Sequence, residues 1–106
     1  LNKILELINS NIANPDFSVN GLSSDLGISR VHLYKKTLAL VDKTPIELIR
    51  LVRLKKAAEL LLTGQYTVSE ISYEVGFSDP RYFSKMFKNE FGKLPSKYKE
   101  EQSGKK

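Results

Sequence analysis

The chain has 106 residues, room for one domain and too little for two ordinary ones, and its 41% hydrophobic and 27% charged residues are those of a folded globular protein rather than a disordered one. Lys and Arg number 17 against 12 Asp and Glu, a formal net charge of +5 that favours an anionic partner. The lack of cysteine excludes disulfides and thiolate chemistry, and the single histidine, His32, excludes a multi-histidine metal site.

From the N-terminus, Ile4, Leu5, Leu7, Ile8 and Ile12 recur at helical spacing and predict a helix from Asn2 to Ile12, stopped by Asn14-Pro15-Asp16. Ser18 can cap a helix to about Leu26, with Gly27 supplying the turn. Ser29 caps the next, to about Val41, where Asp42 has to take the left-handed position. Thr44-Pro45-Ile46-Glu47 combines a cap, a Pro at the first helical position and a capping box, opening a helix to about Leu62 that ends at Gly64. Thr67-Val68-Ser69-Glu70 is a second capping box, for a helix ending at Gly76. Asp79-Pro80 starts a helix to about Phe91 before Gly92, and Pro95 a last short helix through Tyr98. The expectation is an all-α fold of seven helices. Its expected organisation is a first subdomain over 1–43, a linker helix over 44–64, a second subdomain over 65–101 and a flexible tail over 102–106.

The chain also repeats itself. Residues 18–29 align with 67–78 at an offset of 49, pairing Leu22 with Ile71, Ser23 with Ser72 and Gly27 with Gly76. One inserted residue raises the offset to 50, which pairs Ser29 with Asp79, Leu33 with Phe83, Lys35 with Lys85, Asp42 with Gly92 and Pro45 with Pro95. Each copy reads as cap, short helix, Gly turn, cap and longer helix, the layout of a helix-turn-helix. Of the 17 residues from Ile46 to Leu62, 11 are apolar, too wide an arc for a one-sided surface helix and suited to one that touches both copies. At about 1.5 Å per residue the whole helix of roughly 19 residues rises about 28 Å, near the ~34 Å between successive major-groove faces of DNA.

Charge falls in blocks, +3 over residues 27–45 and +4 over 78–106. On the second long helix Phe83, Met86, Phe87 and Phe91, with Tyr82 beside them, make an apolar face, while Arg81, Ser84, Lys85 and Lys88 recur at i, i+3, i+4 and i+7 opposite. Arg81 can fork onto guanine O6 and N7, and Lys85 can meet a base or a phosphate. In the first copy Leu33 and Leu40 are expected to point inward, and Arg30, Val31, Tyr34, Lys35 and Leu38 outward. Arg30, Val31, Tyr34, Lys35, Arg81, Ser84 and Lys85 are therefore candidates to read bases, Val31 by packing on a thymine methyl. His32, Lys36, Lys43, Tyr66, Thr67, Tyr82, Lys88 and Lys99 are candidates to touch phosphates.

The run from Leu54 to Leu61, then Val68-Ser69-Glu70-Ile71-Ser72, Val75-Gly76-Phe77-Ser78-Asp79, Tyr82-Phe83-Ser84-Lys85-Met86-Phe87-Lys88 and Gly92-Lys93-Leu94-Pro95-Ser96-Lys97-Tyr98 resembles the AraC/XylS-type DNA-binding domain. The resemblance runs from about Ser18 to Tyr98, with residues 1–12 fitting the family's first helix. It implies two helix-turn-helix units joined by a long helix, with Val31, Tyr34, Lys35, Arg81, Ser84 and Lys85 at base-reading positions. The chain departs from the family pattern at Asp42, usually Gly, at Thr37, usually large and apolar, and at Leu38, often basic. The motifs look most like the output domain of hybrid two-component sensor-regulators of gut Bacteroidetes. That likeness implies a separate sensing part, often for a glycan, and an activator role.

Sequence-specific binding of double-stranded DNA is the leading expectation, with RNA polymerase as a further partner. The competing class is a protein-interaction module docking through Val31, Tyr34 and Leu38. Neither a phosphate-binding glycine loop, nor a metal-ligand cluster, nor a paired nucleophile and base is present in the sequence, so neither an enzyme nor a cofactor is expected. No apolar run approaches the roughly 20 residues that span a bilayer, and no secretory signal is visible. The expected location is therefore cytoplasmic, at the nucleoid, with no membrane contact of its own, although the parent of a hybrid sensor can be membrane-anchored. A start at Leu1 suggests a piece of a longer protein, monomeric by itself and with a parent able to dimerise.

Overall fold

The computed structural model describes residues 1–103. It forms seven helices: α1 (Asn2–Ser10), α2 (Val19–Leu26), α3 (Arg30–Val41), α4 (Pro45–Thr63), α5 (Val68–Glu74), α6 (Pro80–Phe91) and α7 (Pro95–Ser103). No strand occurs among the described residues. Side chains set the starts of most of them. The Ser29 hydroxyl accepts from the His32 amide at 3.0 Å, and the Asp79 carboxylate from the Arg81 amide at 2.9 Å. Both capping boxes close: the Thr44 hydroxyl accepts from the Glu47 amide while the Thr44 amide donates to the Glu47 carboxylate, and Thr67 and Glu70 do the same. Asp42 takes the left-handed conformation at φ 57°, where the second copy has Gly92 at φ 80°.

Three boundaries differ from the sequence expectation. α1 stops at Ser10 rather than Ile12: the Asn11 side chain takes the Leu7 carbonyl, and the amides of Asn11 and Ile12 tighten onto the carbonyls of Ile8 and Asn9. α5 stops at Glu74, two residues before Gly76. α7 runs past Tyr98 to Ser103, with Lys93 paired to Glu101, so helix occupies the first two positions of the expected tail. Residues 104–106 of that tail lie outside the described residues.

Two cores form. Ile4, Ile8, Leu22, Leu33, Leu48 and Ile49 make the first. Leu54, Ala57, Ala58, Leu61, Ile71, Val75, Phe77, Phe83 and Phe87 make the second, with Ile12 packed against it. α4 gives its N-terminal half to one and its C-terminal half to the other, which accounts for its wide apolar arc. The repeat is visible in burial: Leu22 and Ile71, Leu33 and Phe83, and the serines Ser23 and Ser72 are buried in pairs. Each of those serines donates to the carbonyl three residues back.

The copies differ in filling. The second core is an aromatic ladder, with ring centroids 5.2 Å apart for Phe77–Phe83, 5.8 Å for Phe83–Phe87 and 5.4 Å for Phe87–Tyr98. In the first, Thr37 replaces Phe87, fully buried, its hydroxyl donating to the Tyr34 carbonyl. Leu40, expected inward, is 49% exposed. The inward stripe of α3 is Leu33, Thr37 and Val41 at i, i+4 and i+8, and Leu40 matches Glu90 of the second copy, also exposed.

Candidate nucleic-acid interface

The interface is built from the outward faces of α3 and α6. On α3, Arg30, Val31, Tyr34 and Lys35 are exposed, Val31 at 65% and Tyr34 at 48%, and Leu38 sits at the exposed margin. On α6, Arg81, Lys85 and Lys88 are exposed and Ser84 is half-buried. Tyr82, counted with the apolar face on sequence, is 44% exposed, its ring leaning on Phe77 at 6.0 Å. The Arg81 Nε lies 3.6 Å from the Asp79 carboxylate, so one acidic side chain both caps α6 and steadies its first cation.

The phosphate candidates scatter more widely. His32 and Lys36 are exposed on α3. The Thr67 hydroxyl is used by its capping box, and Tyr66 packs against the second core. Lys43 and Lys99 are half-buried, and Lys43 lies in a groove with Leu5, Leu48 and Val41, the last of these on the inward stripe of α3.

One cleft joins the two copies. Arg30, at the start of α3, and Tyr82, at the start of α6, both line it, together with Ile46, Arg50 and Arg53 of α4. Arg50 and Arg53 escaped the sequence reading. Their signal was the stripe Ile46, Arg50, Arg53 at i, i+4 and i+7, which breaks the apolar surface of α4 along one line. Burial pulls the Arg53 guanidinium below its ordinary pKa. Its Nη2 donates to the Asn14 carbonyl at 2.8 Å, and its Nε is buried without a hydrogen-bond partner. Among the described residues no group of acidic or histidine side chains could hold a metal ion. No helix there is long and apolar enough to cross a membrane.

Two helix-turn-helix units set on one long helix, each with an outward cationic stripe, define a DNA-binding module. The family model described as "Helix-turn-helix domain" matches residues 22–101. The chain belongs to that family, in its AraC-type branch of transcription-regulator DNA-binding domains. It is 45% identical over 98 residues to "Histidine kinase P4" of Formosa agariphila, covering 92% of this chain and 7% of that protein. It is 39% identical over 101 residues to the "Msm operon regulatory protein" of Streptococcus mutans, covering 95% of this chain and 36% of that one. The chain thus spans a small part of the curated relatives it matches. Its fold superposes on the C-terminal domain of AraT, a response regulator from Geobacillus stearothermophilus, with a TM-score of 0.87 at 28% identity, covering 94% of this chain and 83% of the other.

Proposed function

We propose that α3 and α6 enter adjacent major-groove segments of one duplex and read them together, residues 1–43 and 65–101 acting as two heads on the bridge of 44–64. The observation that carries this reading is the shared cleft: the first turns of both recognition helices, at Arg30 and Tyr82, line it together. Arg30, Val31, Tyr34 and Lys35 on α3, and Arg81, Ser84 and Lys85 on α6, are the base readers. The side chains of His32, Lys36 and Lys88 and the hydroxyl of Tyr82 meet phosphates. Arg50, half-buried in the cleft, joins them as a backbone contact. Lys43, Lys99, Tyr66 and Thr67 are weaker phosphate candidates, for the burial and capping just described.

The activity is recognition rather than catalysis, and it needs no cofactor. The parent protein is a cytoplasmic regulator or a membrane-anchored hybrid sensor with this domain on its cytoplasmic side. In either setting this domain activates transcription, with RNA polymerase as its further partner, and the domain alone is a monomer. The relative whose printed name is a histidine kinase supports the hybrid setting, as does the likeness to a response-regulator domain.

Selection of bound duplexes from a random pool, read by sequencing, tests the reading. The expected product is a bipartite motif whose halves lie about 10 base pairs apart, centre to centre. A single short motif, or none, would overturn the two-groove reading.

A further inference from the structure

Gly27 and Gly76 occupy the same place in the two copies, and both have positive φ, 69° and 91°. Their surroundings differ. A Cβ on Gly27 would meet nothing within 4 Å. A Cβ on Gly76 would lie 2.3 Å from the Ile12 carbonyl oxygen and 2.9 Å from Cζ and Nε of Arg53. The turn of the second helix-turn-helix is thus pressed against the backbone that follows α1, in the first unit, with no room for a side chain between them.

Arg53 closes the same junction from α4. Its guanidinium lies against Gly76 and donates to the Asn14 carbonyl, 39 positions away in sequence. The Ile12 side chain reaches across and packs on the second core. Three parts of the chain meet here: the loop before α2, the middle of α4 and the turn before α6. None belongs to a recognition helix, yet the last two residues of the turn, Ser78 and Asp79, lead directly into α6.

We propose that this junction of Arg53, Gly76 and the Ile12 and Asn14 carbonyls fixes the distance and angle between α3 and α6, and so sets the half-site spacing that the protein accepts. Arg53 is a positioning residue: it acts through the loop and the turn it holds rather than by touching a base. The inference rests on the two-groove reading above. Joining two weak binding heads multiplies affinity only when both can engage at once, so a rigid junction turns a geometric match into sequence-spacing specificity.

The test compares four duplexes made from the selected motif: native spacing, one base pair inserted, one base pair deleted, and one half-site scrambled. Wild-type protein is expected to lose about tenfold or more on each altered spacing. Gly27→Ala, which also places a side chain at a positive φ but meets no clash, is expected to keep that ratio. Gly76→Ala is expected to shrink it to about threefold or less, or to move the preferred spacing, because the added methyl must push the two units apart. Arg53→Met removes the bond to Asn14 while adding no bulk at Gly76, and is expected to broaden spacing tolerance if Gly76→Ala does not fold; Arg53→Lys should recover part of the preference.

Thermal melts identify the folded variants. Wild-type protein indifferent to spacing overturns the proposal, as does retention of the wild-type ratio by the folded variants among Gly76→Ala and Arg53→Met. Wild-type protein that binds the scrambled half-site duplex as tightly as the native one overturns the two-groove reading itself, and is thereby distinguished from a failure of the junction alone.

Discussion

Arg81 stands second in α6 with its side chain 94% exposed and its Nε near the Asp79 carboxylate. An exposed pair of this kind contributes about 0–1 kcal/mol, so giving it up for the proposed guanine edge costs little. Arg81→Ala is expected to cost roughly 1–3 kcal/mol on the selected motif and to relax preference at one or two base pairs, measured by competition binding against single-base variants. An equal loss on every sequence would reassign Arg81 to phosphate. Phe87 is a different kind of residue: fully buried, it is within ring contact of Phe83, Phe91 and Tyr98. Phe87→Ala is expected to cost about 3–5 kcal/mol of stability in denaturant melts. Both residues were legible in the sequence, because spacing along one helix decides which side each takes. Arg53 was not. Its burial depends on a carbonyl 39 residues away, and a local pattern says nothing about such a partner.

Helix ends were read best where a side chain makes the decision. The two capping boxes and the Asp42 turn stand where sequence placed them, since each depends on residues within four positions of one another. The ends of α1 and α7 were misread for opposite reasons: the Asn11 side chain takes the Leu7 carbonyl that a continued helix would use, whereas packing of α7 on α4 and α6 prolongs a segment with weak periodicity. The box at the head of α4 carries a pH prediction. Hydrogen bonds from the Thr44 backbone and side chain, with Lys43 and Arg50 nearby, hold the Glu47 carboxyl below its ordinary value of 4.5. A lowered folded-state pKa adds stability above the unfolded value and loses it as pH falls through the folded one. Wild-type protein is therefore expected to exceed Glu47→Ala in stability at neutral pH, with the gap narrowing on acidification below the ordinary carboxylate range; a gap independent of pH would show that the charge plays no part. At the other end of α3, Asp42→Gly relieves a left-handed non-glycine residue at φ 57°. Part of the relief is offset by the freer unfolded chain, leaving an expected gain of about 0.5 kcal/mol in chemical denaturation.

At the scale of the molecule, both the duplication and the sharing of α4 between its halves were readable, the second from the width of the apolar arc over 46–62. Residues 65–106 look like a complete reading head in sequence, but Leu54, Ala57, Ala58 and Leu61 of α4 form much of that head's core. The two heads are therefore one folding unit, 45 Å long and about half as wide. The arc shows that α4 serves both copies, but which of its residues enters which core depends on contacts far apart in sequence. A unit of this kind should show the salt dependence of many simultaneous phosphate contacts. Neutralising six to ten of them would lower affinity by roughly 10³–10⁵ between about 50 and 200 mM salt. Replacing a cation proposed to touch only backbone, as in Lys88→Ala on α6, is expected to flatten the slope of log affinity against log salt by about 0.9 and to weaken all duplexes alike. Arg81→Ala should instead weaken the selected motif more than random duplex. The exposed apolar residues Val31, Tyr34 and Leu38 on α3 would suit a protein-docking surface, and that alternative predicts little response to salt. A flat titration of wild-type protein on the selected duplex would overturn the DNA reading in favour of docking, whereas a steep slope that Lys88→Ala reduces by about one unit places the cationic face of α6 on the phosphates.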